Sequence, residues 1–435
     1  MNKRTKSSFP LSGAVLLMMG FLATSVGVSP SYAETEEPLS LSLEEALRLA
    51  FEKSPVLRAR KAEFRQAEAN MMRARIYPFN PELEVGGGDR QGVDGSSTDR
   101  EILLSQELQI GGQRRKEISV EQAALVAAEY TLRRERRLLA FEVEISFAET
   151  LARRELVEIA QADAELTRGL LDFSQRRLEA GAGTQIELNL ARAAAGRVEG
   201  TWRQAIGGYK AASQRLGELI GLSPERRVNA VGEIPLPVEE LVPLDQFVQL
   251  AVDNRADLNA SRHRIDSADN AIRLAKSLAI PNLKLGLFYA EEEGTDEIKG
   301  LGLQLPIPLF NRNQGGIARA EATSERQVAE TAALELTVRR EVADAYVTYL
   351  AAKESADALH DLVVGTLEEN LSFLQRALQA GKINAAEVLV FRREFVASQR
   401  EYIEALFEAW AAKISLDLAT GSTRLPLSYQ EETTP

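Results

Sequence analysis

The chain of 435 residues carries 64 acidic against 52 basic side chains, is 45% hydrophobic, and contains no cysteine. An acidic balance of this kind excludes a nucleic-acid partner, which needs a basic face. The missing cysteine excludes a disulfide framework, cysteine-ligated metals and a lipid-modified cysteine.

In chain order, the first element is an address. Lys3, Arg4 and Lys6 precede the apolar run Leu11 to Val28, and Ser31-Tyr32-Ala33 follows as a small-x-small cleavage pattern. Residues 1–33 read as a secretory signal peptide. A membrane anchor is the weaker alternative, because Gly, Ser and Thr interrupt the apolar run. Cleavage after Ala33 removes positive charge only, so the mature chain is more acidic still. Past the leader no stretch reaches the apolar length of a spanning helix, so any membrane crossing falls to strands.

Next comes "LEEALRLA" from Leu43, an amphipathic helix, and then a strand pair over 82–110 joined by the polar turn "DRQGVDGSST". From Gln113 to Ala180 there is no proline and an excess of Ala, Leu, Glu and Arg, which predicts one helix of roughly 100 Å. Ile118, Leu125, Leu132 and Leu139 recur at heptad spacing, the seam of a coiled-coil contact. Gly181-Ala182-Gly183 then predicts a helix end with a sharp reversal, followed by a helix to Gly221.

The second half repeats this plan at an offset of about 200 residues. "FSQRRLEAGAGTQIELNLAR" from Phe173 aligns without a gap on "FLQRALQAGKINAAEVLVFR" from Phe373, superposing Gly181 on Gly381, Glu187 on Glu387 and Arg192 on Arg392. "LDQFVQLA" from Leu244 parallels "LEEALRLA", and Pro281 parallels Pro81. The expected units are therefore a repeat over 34–224 with its hairpin at 113–222, a linker or equatorial segment at 225–243, a repeat over 244–422 with strands at 282–309 and a hairpin at 316–421, and a tail at 423–435. The fold class is mainly α with a small β part.

Alternation in the strands sets their setting. Ile102, Leu104, Leu108 and Ile110 share one face with Gln106; Leu301, Leu303, Leu305, Ile307 and Leu309 face one way, opposite Gly302, Gln304, Pro306 and Pro308. Segments of about ten residues, apolar outward and polar inward, carry the signature of an outer-membrane barrel, although a half-buried soluble sheet alternates likewise. Four strands cannot close a barrel, and open edges are not tolerated in lipid. If they span a membrane, several copies pool them, and three copies give twelve strands.

Together, "LSLEEALRLAFEKSPVL", the two reversal segments "QRRLEAGAGTQIELNLA" and "QRALQAGKINAAEVLV", and "LPIPLFNRNQGG" make the chain resemble the TolC outer-membrane efflux channel family over essentially its whole mature length. The resemblance implies a homotrimeric duct: a twelve-stranded transmembrane β-barrel in outer-membrane lipid continued by an α-barrel across the periplasm. Its partners would be a periplasmic membrane-fusion adaptor and an inner-membrane efflux pump. The run "PIPLFNRNQGG" is most similar to the heavy-metal branch, which partners resistance-nodulation-division pumps.

The resemblance also distributes roles. Gly181, Ala182, Gly183 and Thr184, with Gly381, Lys382, Ile383 and Asn384, would be the tips on which the adaptor docks. The tunnel would narrow at Glu387, with Glu187 as its repeat equivalent. The family's second acidic position falls on Val390, leaving a single carboxylate ring plus an apolar constriction. Arg176 and Arg376 would pair with those carboxylates across neighbouring hairpins. Independently of the family, a symmetric carboxylate ring attracts cations; equally, Glu187 and Glu387 lie near helix N-termini, where negative charge is favourable anyway. Pro306, Pro308, Gly315 and Gly316 in one half, and Gly111 and Gly112 in the other, would mark the passage from barrel to tunnel.

Catalytic chemistry is not signalled. His263 and His360 stand alone, Glu291–Glu293 read as a solvated turn, and no cofactor motif or catalytic constellation is found, so the chain reads as a passive conduit and not an enzyme. Two other readings compete: a periplasmic adaptor, which has one hairpin rather than two, and a secreted coiled-coil protein, which leaves the strands unexplained.

Overall fold

The computed structural model describes residues 38–92, 95–223, 226–234, 242–293, 296–363, 373, 376–377, 383 and 385–422. The leader and the C-terminal tail lie outside them. The first half runs β1 (Leu39–Leu41), α1 (Leu43–Lys53), α2 (Pro55–Arg75), β2 (Glu82–Gly92), β3 (Gly95–Leu108), α3 (Gln113–Glu179), α4 (Gln185–Leu219) and β4 (Val228–Ala230). The second runs α5 (Leu244–Asn254), α6 (Ala256–Ser277), β5 (Leu283–Glu292), β6 (Asp296–Gln304), α7 (Gln314–Val363) and α8 (Ala385–Thr420).

Local chemistry explains the boundaries. Ser42 and Glu45 form a reciprocal capping box at the start of α1, the Ser42 N–H donating to the Glu45 carboxylate at 2.9 Å. Ser54 caps α2, with Pro55 in the first turn, where its missing N–H costs nothing. The 67 residues of α3 form one unbroken helix, about 100 Å long. Leu132 and Leu139 of the heptad seam are buried with Val143, Phe147 and Leu151 beneath α1, beside Leu216, Ile220 and Val228. There β1 and β4 pair in parallel, so the segment after α4 is threaded through the largest apolar core. In the second half, Ala356 on α7 is buried against Ala405 and Ala409 on α8, small residues that let two long helices approach closely.

β2, β3, β5 and β6 form one antiparallel sheet in that order, leaving β2 and β6 as its edges. Leu83, Leu104, Leu287 and Leu301 stand in register across all four strands and are 66%, 45%, 54% and 83% exposed. Opposite them run small and polar rows such as Glu82, Ser105, Gly286 and Gly302. A leucine row this open needs an apolar surrounding. No helix among the described residues is long and apolar enough to cross a membrane.

One expected boundary moves. The alternation from Leu301 through Leu309 suggested a strand reaching the prolines, but β6 stops at Gln304. Residues 305–308 leave the ladder because Pro306 and Pro308 offer no N–H to it.

Strand order also fixes helix order. α2 leads into β2, β3 into α3, α6 into β5 and β6 into α7. Beneath the sheet α2 packs on α3, α3 on α6 and α6 on α7, a row parallel to the strand row. α2 with β2 forms one flank of the protomer, and α7 with β6 the other.

Candidate functional site

Two regions carry the residues singled out in the sequence: the joint between sheet and helices, and the far ends of the long hairpins. At the first-half joint, Gly112 has φ 69°, a left-handed conformation suited to glycine, and α3 starts directly after it. Gln113 is only 1% exposed. Its side-chain oxygen accepts the Gly111 N–H at 2.9 Å, and its Nε2 donates to the Ile280 carbonyl at 3.0 Å. This joint is therefore locked onto the segment that enters β5.

At the second-half joint the same turn is longer and faces outward. The Asn313 N–H donates to Asn311 Oδ1 at 3.0 Å, the Arg312 N–H to Gln314 Oε1 at 2.9 Å, and Gln314 Nε2 to the Phe310 carbonyl at 3.1 Å. One side chain ties it down: Asn313 Nδ2 donates to the Ala275 carbonyl of α6 at 2.8 Å. Gly315 and Gly316 lie in the first turn of α7. Ile307, Leu309 and Phe310 stand 74%, 66% and 91% exposed.

At the hairpin end, α3 closes with a Schellman arrangement. The Ala182 N–H reaches the Arg177 carbonyl at 2.9 Å and the Gly181 N–H that of Leu178 at 3.0 Å, with Gly181 at φ 72°. Thr184 then caps α4: its N–H donates to the Glu187 carboxylate at 3.3 Å, and its hydroxyl accepts the Glu187 N–H at 3.2 Å. Glu187 thus has a capping role within its own chain. Ile186 and Leu190, one turn apart, are 80% and 47% exposed beside this tip.

On the second hairpin, Gly381, Lys382 and Asn384 lie outside the described residues, while Ile383 is half-buried in a bend. Glu387 is exposed in the first turn of α8, and Val390 and Phe391 are each 55% exposed. Arg176 Nε donates to the Asp172 carbonyl of its own helix at 3.3 Å, and Arg376 stacks over the Phe373 ring at 4.8 Å.

The sequence reading missed a buried clasp between the two hairpins. Arg392 of α8, 4% exposed, pairs with the Asp163 carboxylate of α3 and donates to Thr167 Oγ1 and the Asp163 carbonyl. Burial pushes the Asp163 carboxyl up and the Arg392 guanidinium down, each against the pull of the other. The repeat offered a signal, since Arg192 and Arg392 superpose; but Arg192 is exposed, and sequence does not tell which copy is buried.

A second network holds the start of α6. Arg255 bonds Asp257 at 2.6 Å and Glu341 of α7 at 2.5 Å, and Arg134 of α3 reaches Asp257 at 3.4 Å. Burial works against charge on Asp257, but Arg255 and then Arg134 hold its carboxyl below the usual range. Of the two histidines, His263 stacks on Tyr130 and bonds Asp266 at 3.1 Å, and His360 hydrogen-bonds the Tyr402 hydroxyl at 3.0 Å. Among the described residues no group of three or more acidic or histidine side chains could hold a metal ion.

An open sheet with a leucine face, its strands continued by paired helices of great length, is what the family comparison then matches. The family model for "Outer membrane efflux protein" aligns with residues 46–222 and 247–422. The chain belongs to this family. It is an outer-membrane efflux channel, a class that conducts rather than catalyses, and channels of the family are trimers working with adaptor and pump partners.

Its relatives include the cobalt-zinc-cadmium resistance protein CzcC of Cupriavidus metallidurans, 25% identical over 383 residues, 88% of this chain and 90% of the relative. Among solved structures, VceC of Vibrio cholerae superposes with a TM-score of 0.71 at 21% identity, covering 87% of this chain and 96% of its own. CusC does so with 0.71 at 19% identity, covering 87% and 92%.

Proposed function

We propose that this efflux channel is a homotrimer conducting divalent heavy-metal cations delivered by a resistance-nodulation-division pump through a membrane-fusion adaptor. The observation that carries the trimeric duct is the four-strand leucine row with open edges at β2 and β6, which lipid does not tolerate unless neighbouring copies pair them. Three copies would make twelve strands. The cation cargo is supported by similarity to CzcC over nine-tenths of that relative. We take 34–224 and 244–422 as the two repeat units, with 225–243 as the linker or equatorial segment between them.

The tips supply the working end. Ile186 and Leu190 beside the Gly181–Thr184 reversal give the adaptor an exposed apolar foothold. The second foothold is the equivalent reversal at Gly381–Asn384. Three copies of Glu387 at the constriction would concentrate cations, and Val390 would supply an apolar ring one turn further on. Glu187, engaged with Thr184, serves chiefly to start α4. Arg176 and Arg376 are assigned to hold the closed aperture through neighbouring hairpins.

Deleting the gene should sensitise cells to zinc, cobalt or cadmium while leaving tolerance of dyes and antibiotics intact. The reverse pattern would refute the cargo. In planar bilayers Glu387→Gln should lower cation over anion selectivity, and unchanged selectivity would remove the ring.

A further inference from the structure

The prolines of the second joint have no counterpart in the first, although the two halves share one plan. Strand order supplies the reason. β3 lies inside the sheet, and the joint after it is locked to the protomer's own Ile280 by Gln113. β6 is an edge, and the joint after it is exposed at Ile307, Leu309 and Phe310. Proline is suited to such an edge, where it stops pairing at a set residue.

We infer that residues 305–310 form a hook that seats on the α2–β2 flank of the next copy and closes the ring at the joint between barrel and tunnel. The inference rests on the trimer reading and adds to it the residues that make the seal. Three observations converge on a second copy of this chain as the occupant.

First, the hook is built rather than loose. The hydrogen bonds around Asn311, Asn313 and Gln314 hold the turn, and beside it an apolar groove of about 360 Å³ is lined by Leu278, Pro281, Pro306, Ile307, Leu309 and Phe310.

Second, the opposite flank carries matching apolar surface at the same height. Met72 and Ile76 at the end of α2, directly before β2, are 66% and 62% exposed. A C3 ring joins unlike flanks head to tail, so the hook of one copy meets the C-terminal end of α2 in the next.

Third, the outermost helices below the hook carry apolar seams. Ala62 and Ala69 on α2 with Ile76 at its C-cap, and Ala322, Ala329 and Leu336 on α7, are exposed at heptad spacing. α2 climbs toward the sheet while α7 descends from it, so they meet antiparallel. The α2 seam is bordered by exposed Arg58 and Arg65; the α7 seam is bordered by exposed Arg319, Glu325 and Arg326, with Arg326 paired to Glu330 of its own helix.

The cysteine-free chain allows a direct test on the full-length protein extracted in mild detergent. Phe310→Cys combined with Ile76→Cys should yield a covalent trimer on treatment with a short bis-maleimide. Phe310→Cys combined with Ile186→Cys, at the far hairpin tip, should not. Phe310→Ser with Leu309→Ser should lower the temperature at which the trimer dissociates by roughly 10 °C. If the wild type is a trimer yet the first pair does not cross-link, and a fluorophore on Phe310→Cys is quenched by nitroxide lipid, the hook faces the membrane and the inference fails while the trimer stands. A wild type that runs as a monomer would overturn both.

Discussion

Between β3 and α3 the chain turns within residues 109–112 and leans on its own protein; between β6 and α7 it spends residues 305–313, tied to its own α6 by Asn313 on the Ala275 carbonyl and otherwise largely exposed. One joint is sealed by a glutamine that is 1% exposed, whereas the other exposes a phenylalanine at 91%. A duplicated sequence need not meet duplicated surroundings. Once two strand pairs lie side by side, the second strand, β3, has a neighbour on each side and the last, β6, has only one. The halves can then diverge wherever one copy faces inward and its twin faces out.

The sharpest test of that divergence is the pair of superposed arginines. Arg392→Met strands the Asp163 carboxylate in a buried site and should cost about 3–5 kcal/mol, whereas Arg192→Met on the exposed face should stay within about 0.5 kcal/mol. Guanidinium unfolding of the detergent-extracted protein distinguishes them. Because burial raises the Asp163 pKa, the folded carboxyl holds its proton more tightly than the unfolded one. Its contribution therefore falls as pH rises out of the usual aspartate range, and replacing both partners, with Asp163→Leu and Arg392→Met, should recover most of the loss.

The glutamines that open the two long helices come next. Gln113→Ala leaves the Gly111 N–H and Ile280 carbonyl without their partner in a buried joint, and should cost about 2–3 kcal/mol. Gln314→Ala acts in an exposed turn, where water replaces what is lost, and should cost under about 1 kcal/mol. Equal effects would mean that the two joints are not differently supported.

Smaller again is the contrast at the starts of α2 and α6. The first-half helix begins on Ser54 and Pro55, the second on the Arg255–Asp257 network. Since the Asp257 pKa is lowered in the fold, its contribution is complete above the usual aspartate range and is lost as pH falls through the lowered value. Asp257→Asn should remove about 1–2 kcal/mol at neutral pH and flatten the acid limb of a melting-temperature profile.

Much of this architecture was legible before any coordinates. The element order of the two halves, the length of α3, the reversal at Gly181 and the outward leucines all follow from local rules: helix propensity, heptads, φ > 0 at Gly181, and period-two alternation. What escaped depends on partners distant in sequence. Arg392 meets Asp163 only because α8 of one repeat crosses α3 of the other. The pairing of β1 with β4 involves three residues a side, too few for a periodic signal. Nothing in "LQLPIPLF" says whether the strand before the prolines is an inner strand or an edge, and that one fact decides their meaning.

Pro306→Ala tests the contrast at its lowest cost. In the protomer the residue has no ladder partner to lose, because β5 pairs with β6 only as far as Gln304. The substitution therefore acts mainly by loosening the unfolded chain, and should destabilise by under about 1 kcal/mol. It also restores an N–H on an edge strand, so the gain of one ladder bond to a neighbouring copy can offset even that. Hydrogen exchange across 301–309 reads the outcome: protection of the new amide at residue 306 in the trimer marks the proline as a stop on inter-copy pairing. A loss above about 2 kcal/mol would show instead that the second joint is braced internally like the first, and the distinction between inner and edge passages would fall.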